Sequence, residues 1–321
     1  MEDKRRTARN LVAKLSSVSE RIRTDALSEL RQISKLDPES RPLIAEAGAV
    51  PYLCDTLYSS SPTMQENSAA TLLNLSITSR GSLMSTRGLL DAISHALSNP
   101  ASHAAAQSCA ATLHSLLIAD ESYRPMIGSK RDILYSLLSI VGDTHAPTRS
   151  TKDALKALFG IALYPLNRAS MVGLGAISAL VSLIVRDARM GIVEDATAVL
   201  AQVAGCEESD EAMRKTGGVG VLGDLLDEGT SASTRTRENA VAALLNMARC
   251  GSERGRREVR ETVVKVMEGI AVVAENGSGK GKAKAVELLK FVVDGNGNGN
   301  NKVRELRFKF DKINDFINHS I

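Results

Sequence analysis

The stretch Gln65-Glu-Asn-Ser68-Ala-Ala-Thr-Leu72-Leu-Asn74-Leu75-Ser decides the fold, because Ser68, Leu72 and Leu75 stand four and then three residues apart. That spacing puts the three side chains on one stripe of a helix. The triplet, a small residue followed by Leu and then a medium apolar residue, recurs along the chain. The copies are Ala26/Leu30/Ile33, Cys109/Leu113/Leu116, Ala154/Leu158/Ile161, Ala196/Leu200/Val203, Ala240/Leu244/Met247 and Ala285/Leu289/Val292. Successive copies begin 42, 41, 45, 42, 44 and 45 residues apart. A Cβ-sized side chain at the first position lets crossing helices approach, so Cys109 in that slot is a packing residue.

A second helix precedes the middle copies, with apolar residues at Val50/Leu53/Leu57, Leu90/Ile93/Leu97, Ile177/Leu180/Ile184 and Val219/Leu222/Leu226. Before it lies a shorter element ending in Ile44, Met84, Ile127, Met171 or Met213, followed by Gly48, Gly88, Gly175 or Gly217. Glycine fits a sharp exit from a short helix because the positive φ required there costs it little. Ser129-Lys130-Arg131 has no glycine at the equivalent corner. An all-helical period of roughly 40–47 residues is that of armadillo and HEAT units, and three helices per unit select armadillo. The expected fold is an all-α, right-handed superhelical armadillo solenoid of about seven repeats. Its expected parts are a capping helix within residues 1–22, with a helix around Leu11 to Val18, and the repeats over 23–294. A Gly/Asn linker at 295–302 and an amphipathic tail at 303–321 follow, the tail carrying Val303, Leu306, Phe310, Ile313 and Ile317 on one helical face. Asn276-Gly-Ser-Gly279 reads as an interruption of the last repeat where order lapses.

Composition narrows the function. Of 321 residues 43% are hydrophobic, and 40 Lys+Arg against 37 Asp+Glu leave a formal charge of +3. That lacks the concentrated basic field nucleic acid demands, and a chain without Trp and with 3% aromatics lacks stacking platforms. No apolar run reaches the ~20 residues of a membrane-spanning helix, and Met1-Glu-Asp-Lys-Arg-Arg6 is no secretory signal. The expected location is the cytoplasm or the nucleus, although Lys4-Arg5-Arg6 with Arg9 is too short a basic run to choose between them. Cys54, Cys109, Cys206 and Cys250 are widely spaced singles, read as reduced and structural.

The runs Asp37-Pro-Glu-Ser-Arg41-Pro-Leu-Ile-Ala-Glu-Ala-Gly48-Ala-Val-Pro51, Gln65-Glu-Asn-Ser-Ala-Ala-Thr-Leu-Leu-Asn74-Leu-Ser76 and Arg237-Glu-Asn-Ala-Val-Ala-Ala-Leu-Leu-Asn246-Met247 resemble the armadillo domain of plant U-box ubiquitin ligases. The likeness spans about residues 8–293. In that family a U-box recruits the ubiquitin-conjugating enzyme and the armadillo array selects the substrate. No U-box precedes Leu11, so the resemblance implies a substrate-recognition or adaptor module without catalytic residues. Its partner would be a protein or extended peptide segment, and ubiquitination machinery would follow by resemblance. Two alternatives stay open: the armadillo part of a U-box ligase whose catalytic domain is missing from this chain, and a ubiquitin-independent signalling scaffold.

The resemblance also locates a surface. In armadillo arrays the third helices line a concave groove, where an Asn one turn from the helix end bonds an extended peptide. That slot holds Gln32, Asn74, Ser115, Gly160, Gln202, Asn246 and Phe291, making Gln32, Asn74, Ser115, Gln202 and Asn246 the groove candidates. Exposed polarity with no partner is the competing reading of these side chains. Import receptors of the importin-α type place Trp four residues earlier; here that slot holds Ser28, Ala70, Ala111, Lys156, Ala198 and Ala242, which excludes importin-like recognition of basic signals. Asp25, Glu66, Asp153, Glu194 and Glu238 open the third helices and would edge the groove with negative charge for a basic segment. The helix dipole favours carboxylates there in any case.

No motif asks for a cofactor or metal. Gly277-Ser-Gly-Lys280-Gly-Lys282 lacks the spacing and the preceding strand of a phosphate loop, and Gly173-Leu-Gly175 lacks the third glycine of a dinucleotide fingerprint. His95, His103, His114, His145 and His319 sit apart from one another and from cysteines.

Overall fold

The computed structural model describes residues 1–187 and 189–295. The tail expected at 303–321 and all of the expected linker after Gly295 lie outside the described residues. Those residues are all α, with 20 α-helices and a 3-10 turn, and form two compact units divided after Tyr164. The first unit begins with α1 (Glu2–Leu15) and α2 (Glu20–Leu36). Three three-helix repeats follow: α3 (Ser40–Glu46), α4 (Ala49–Thr56) and α5 (Pro62–Ser76); α6 (Arg80–Ser85), α7 (Leu89–Ser98) and α8 (His103–Ala119); α9 (Tyr123–Gly128), α10 (Arg131–Gly142) and α11 (Thr148–Ala162). The second unit opens with the 3-10 turn Pro165–Asn167 and has three repeats. They are α12 (Arg168–Gly173), α13 (Ala176–Arg186) and α14 (Met190–Val203); α15 (Ser209–Lys215), α16 (Gly218–Asp224) and α17 (Thr234–Cys250); α18 (Glu253–Lys265), α19 (Met267–Asn276) and α20 (Gly279–Gly295).

The triplets form the core. Ser68, Leu72, Leu75, Cys109, Leu113, Leu116, Ala154, Leu158, Ile161 and their counterparts in α14, α17 and α20 are buried. Third helices pack side by side within each unit, α2 on α5, α5 on α8 and α8 on α11, then α14 on α17 and α17 on α20. Burying each Leu of such a stripe contributes about 1.5–3 kcal/mol. Ile33 alone in the triplets stays half-buried. It lies on the side of α2 that faces α1 and α3, beside a cavity of about 360 Å³ lined by Ala8, Leu11, Ile33, Leu36 and Ile44 among others.

Gly48, Gly88, Gly175 and Gly217 hold φ between +66° and +87° and are the positive-φ residues among those described. Each begins a second helix. At the corner without glycine, Lys130 takes φ −82°, ψ 94°, and the turn closes through Ser129 N to Pro125 O and Lys130 N to Ile127 O. An extended residue thus replaces the left-handed one.

Three boundaries differ from expectation. The capping helix spans Glu2–Leu15, with Val18 fully exposed beyond it, and α2 starts at Glu20 rather than after residue 22. Ser19 sets that start by accepting from Ile22 N, while the Arg23 guanidinium donates to the carbonyls of Ser17 and Val18. At Asn276–Gly279 the chain makes a capped turn in place of the expected lapse. Gly277 ends α19, and the Ser278 hydroxyl accepts from Gly281 N while donating to Glu238 Oε2 at 2.8 Å. The last repeat also opens with a 13-residue helix, α18, where α12 and α15 have six and seven residues, and Val266 joins it to α19 without a left-handed glycine.

Candidate functional site

The last four carbonyls of a helix have no partner inside it, and the third helices end against their neighbours. This geometry decides what the candidate groove residues do. Ser115 Oγ on α8 donates to Ser76 O at the end of α5, at 3.1 Å. Asn246 Nδ2 on α17 donates to Ala201 O at the end of α14, at 2.8 Å. Asn74 Nδ2 on α5 donates to Ser34 Oγ in the last turn of α2, at 3.0 Å. Gln202 Oε1 accepts from Arg168 on α12, at 3.2 Å. One hydrogen-bonding group of each is therefore spent between helices, and Asn74, Gln202 and Asn246 are half-buried. Gln32 is exposed and lies beside the cavity between α1, α2 and α3. Gly160 breaks the ladder for a steric reason, since a Cβ there would stand 2.9 Å from Leu117 Cβ on α8.

An arginine signal escaped the sequence reading. Arg41 Nε donates to Ser34 O at 2.7 Å, Arg80 Nε to Ser76 O at 3.0 Å and Arg256 Nη2 to Arg249 O at 3.2 Å. Each guanidinium stands near the start of a first helix and covers a terminal carbonyl of the preceding third helix, where the dipole also favours a cation. Their recurrence near the start of the unit was the available clue.

The acidic candidates divide. Glu194 Oε1 accepts from Ser233 Oγ at 2.6 Å, and Ser233 caps α17 by accepting from Thr236 N. Glu238 accepts from Ser278, the cap of α20. Asp153 Oδ2 accepts from Gln107 Nε2 at 2.6 Å and lies 4.0 Å from Arg149. These three carboxylates fasten adjacent repeats. Asp25 is exposed, 3.9 Å from Arg21, and Glu66 is half-buried on α5. The phrase shared by the second and sixth repeats is structural in the same way. Gln65 donates to Leu57 O and accepts from Ala101 N, Arg237 donates to the carbonyls of Asp227 and Thr230, and Asn239 donates to Glu194 O. Asn67 accepts from Arg31.

On α5, α8 and α11 the side chains left facing outward form a continuous face within the first unit. Its middle is shallow, built from half-buried Ala70 and Ala111, with Lys156 in the same slot of α11. One flank carries Leu73, His114 and Phe159 in one register, with Ile77 and Ile118 beyond them 46% and 64% exposed. The other carries Glu66, Gln107 and Lys152. Burial pushes the Cys54 and Cys109 thiols up to about 12, which removes their nucleophilic form at neutral pH. Among the described residues no group of three His, Cys, Asp or Glu could hold a metal, and no single helix is long and apolar enough to cross a membrane.

Comparison with known proteins places this architecture. The chain is 32% identical over 235 residues to U-box domain-containing protein 16 of Arabidopsis thaliana, which covers 70% of this chain and 32% of that protein. It thus spans about a third of the length of the relatives it matches. A solved engineered protein superposes with a TM-score of 0.76 at 21% identity over 93% of this chain and 71% of its own. A designed armadillo repeat protein superposes with a TM-score of 0.51 at 21% identity over 88% and 99%. The model of the plant U-box protein ARM repeat region matches residues 8–302, so the chain, an all-α armadillo-repeat solenoid, belongs to that family.

Proposed function

We propose that this chain is a protein-binding module that captures an extended segment on the third-helix face of α5, α8 and α11 and recruits its owner to ubiquitination. The observation that supports the binding half is the shallow run of Ala70 and Ala111 between a mostly apolar flank and a polar one. An array that used these slots only for packing would bury them, and bulky residues there would fill the depression a peptide needs. The ubiquitin half rests on family membership and on U-box relatives more than twice as long as this chain. It applies equally if the chain works as the armadillo portion of a longer ligase.

The test compares the intact chain with Ala70→Trp/Ala111→Trp, whose indoles fill the depression, in plant cells lacking the endogenous copy. Captured partners are identified by mass spectrometry and their ubiquitin conjugates quantified. At least one partner is expected to depend on the open face for capture and to lose ubiquitin conjugates with the filled variant. Capture unaffected by the indoles would defeat the face; face-dependent capture without any change in conjugates would defeat the ubiquitin role.

A further inference from the structure

We infer that the α5–α8–α11 face takes an extended segment bearing carboxylate side chains, with an acidic residue against Lys152 and Lys156 and an apolar residue over Ala70 and Ala111. This rests on the face proposed above and names the chemistry of its occupant, opposite to the basic segment that the acidic helix starts suggest.

Charge carries the inference. Arg149, Lys152, Asp153 and Lys156 share the outward side of α11, three cations and one carboxylate. Asp153 is already held by Gln107 and faces Arg149, whereas Lys152 and Lys156 have no ion pair among the described residues. The two lysines are one helical turn apart and both half-buried, so their stems are partly ordered before anything binds and less entropy is lost on pairing. No carboxylate stands on the outward side of α8. Glu66 lies on α5, two helix spacings of about 8–10 Å each from α11, beyond the roughly 8 Å over which charge is felt at physiological salt. Within the first unit, Glu66 is too distant to offset the two lysines. Lys156 fills the slot that is Ala70 and Ala111 in the two preceding helices, so the depression ends against a cation. An extended chain rises about 3.3 Å per residue. Its side chains alternate sides, so one over Ala111 and one meeting Lys156 on the next helix are about two residues apart.

The test uses fluorescence anisotropy with the full chain and two labelled nonapeptides, one carrying four glutamates around a central leucine and the other four lysines in their place. Proteins are the native chain, Lys152→Glu/Lys156→Glu and Ala111→Trp, with circular dichroism confirming equal helicity. The acidic peptide is expected to bind the native chain, the basic one to bind at least about tenfold more weakly, and Lys152→Glu/Lys156→Glu to reverse that order. Ala111→Trp should weaken binding without reversing it, and added salt should weaken the acidic peptide most. Equal or tighter binding of the basic peptide to the native chain, or acidic binding indifferent to the lysine reversal, overturns the inference. If a basic peptide binds and Ala111→Trp removes it, the face stands and only the charge assignment falls. If no peptide responds to Ala111→Trp, the face falls with it.

Discussion

The third helices of the two units present the same slots with different occupants. In the second unit, Glu194, Glu238, Gln202, Asn246 and Arg249 each meet a partner on a neighbouring helix, Arg249 pairing with Glu287 on α20. The first unit uses Ser115 and Asn74 in the same manner, yet its Lys152 and Lys156 are left without an ion pair and Ile77 and Ile118 reach solvent. A polar residue at a given register is a fastener when the adjacent repeat offers a complementary atom and stays unpaired when it does not. Position in the repeat alone does not distinguish them.

The comparison can be broken at its foundation by Gly160→Leu. With Leu117 Cβ only 2.9 Å from where the first added carbon would go, the substitution should push α11 off α8 and cost about 3 kcal/mol. A loss below about 1 kcal/mol in urea unfolding would mean that α11 is not packed as described and that its lysines do not stand on this face. A smaller effect sharpens the fastening side. Asn246→Ala leaves the Ala201 carbonyl unpaired in a partly buried setting and should cost about 1–2 kcal/mol, seen as faster hydrogen exchange at the α14 and α17 termini. Unchanged exchange there would return Asn246 to the pool of free groove residues. The smallest effect is expected from Lys152→Ala/Lys156→Ala, within about 0.5 kcal/mol of the native chain. A larger loss would show that the two lysines fasten structure after all.

The repeat itself was legible because a helix stripe and a turn glycine are local properties. Leu113 must face inward if it lies four residues from Cys109 and three from Leu116, and Gly175 turns the chain whatever its neighbours are. The ends were less readable. Nothing in Val18 says that Ser19 takes over as a cap, although a serine before a helical run is a known start signal. Ser278 likewise reads as linker until Glu238 is seen to receive it. The site was the least readable part, since Asn74 and Asn246 have identical sequence surroundings in a groove reading and in a fastening one. The decision is made by Ser34 and Ala201, some 40 and 45 residues upstream. Lys156 was visible only as a missing Trp, and its meaning came from the absence of a carboxylate on α8 and of any ion pair to its own ammonium among the described residues.

The serine caps of the second unit have a bearing on how such a chain grows. Ser233 reaches back to Glu194 in the preceding repeat, while Glu238, five residues further along, receives Ser278 from the following one. One repeat therefore carries both halves of a head-to-tail joint and satisfies neither alone. Copying that stretch of gene in frame would create a new donor beside an old acceptor and a new acceptor beside an old donor, so a duplicated repeat would arrive with its seams already matched.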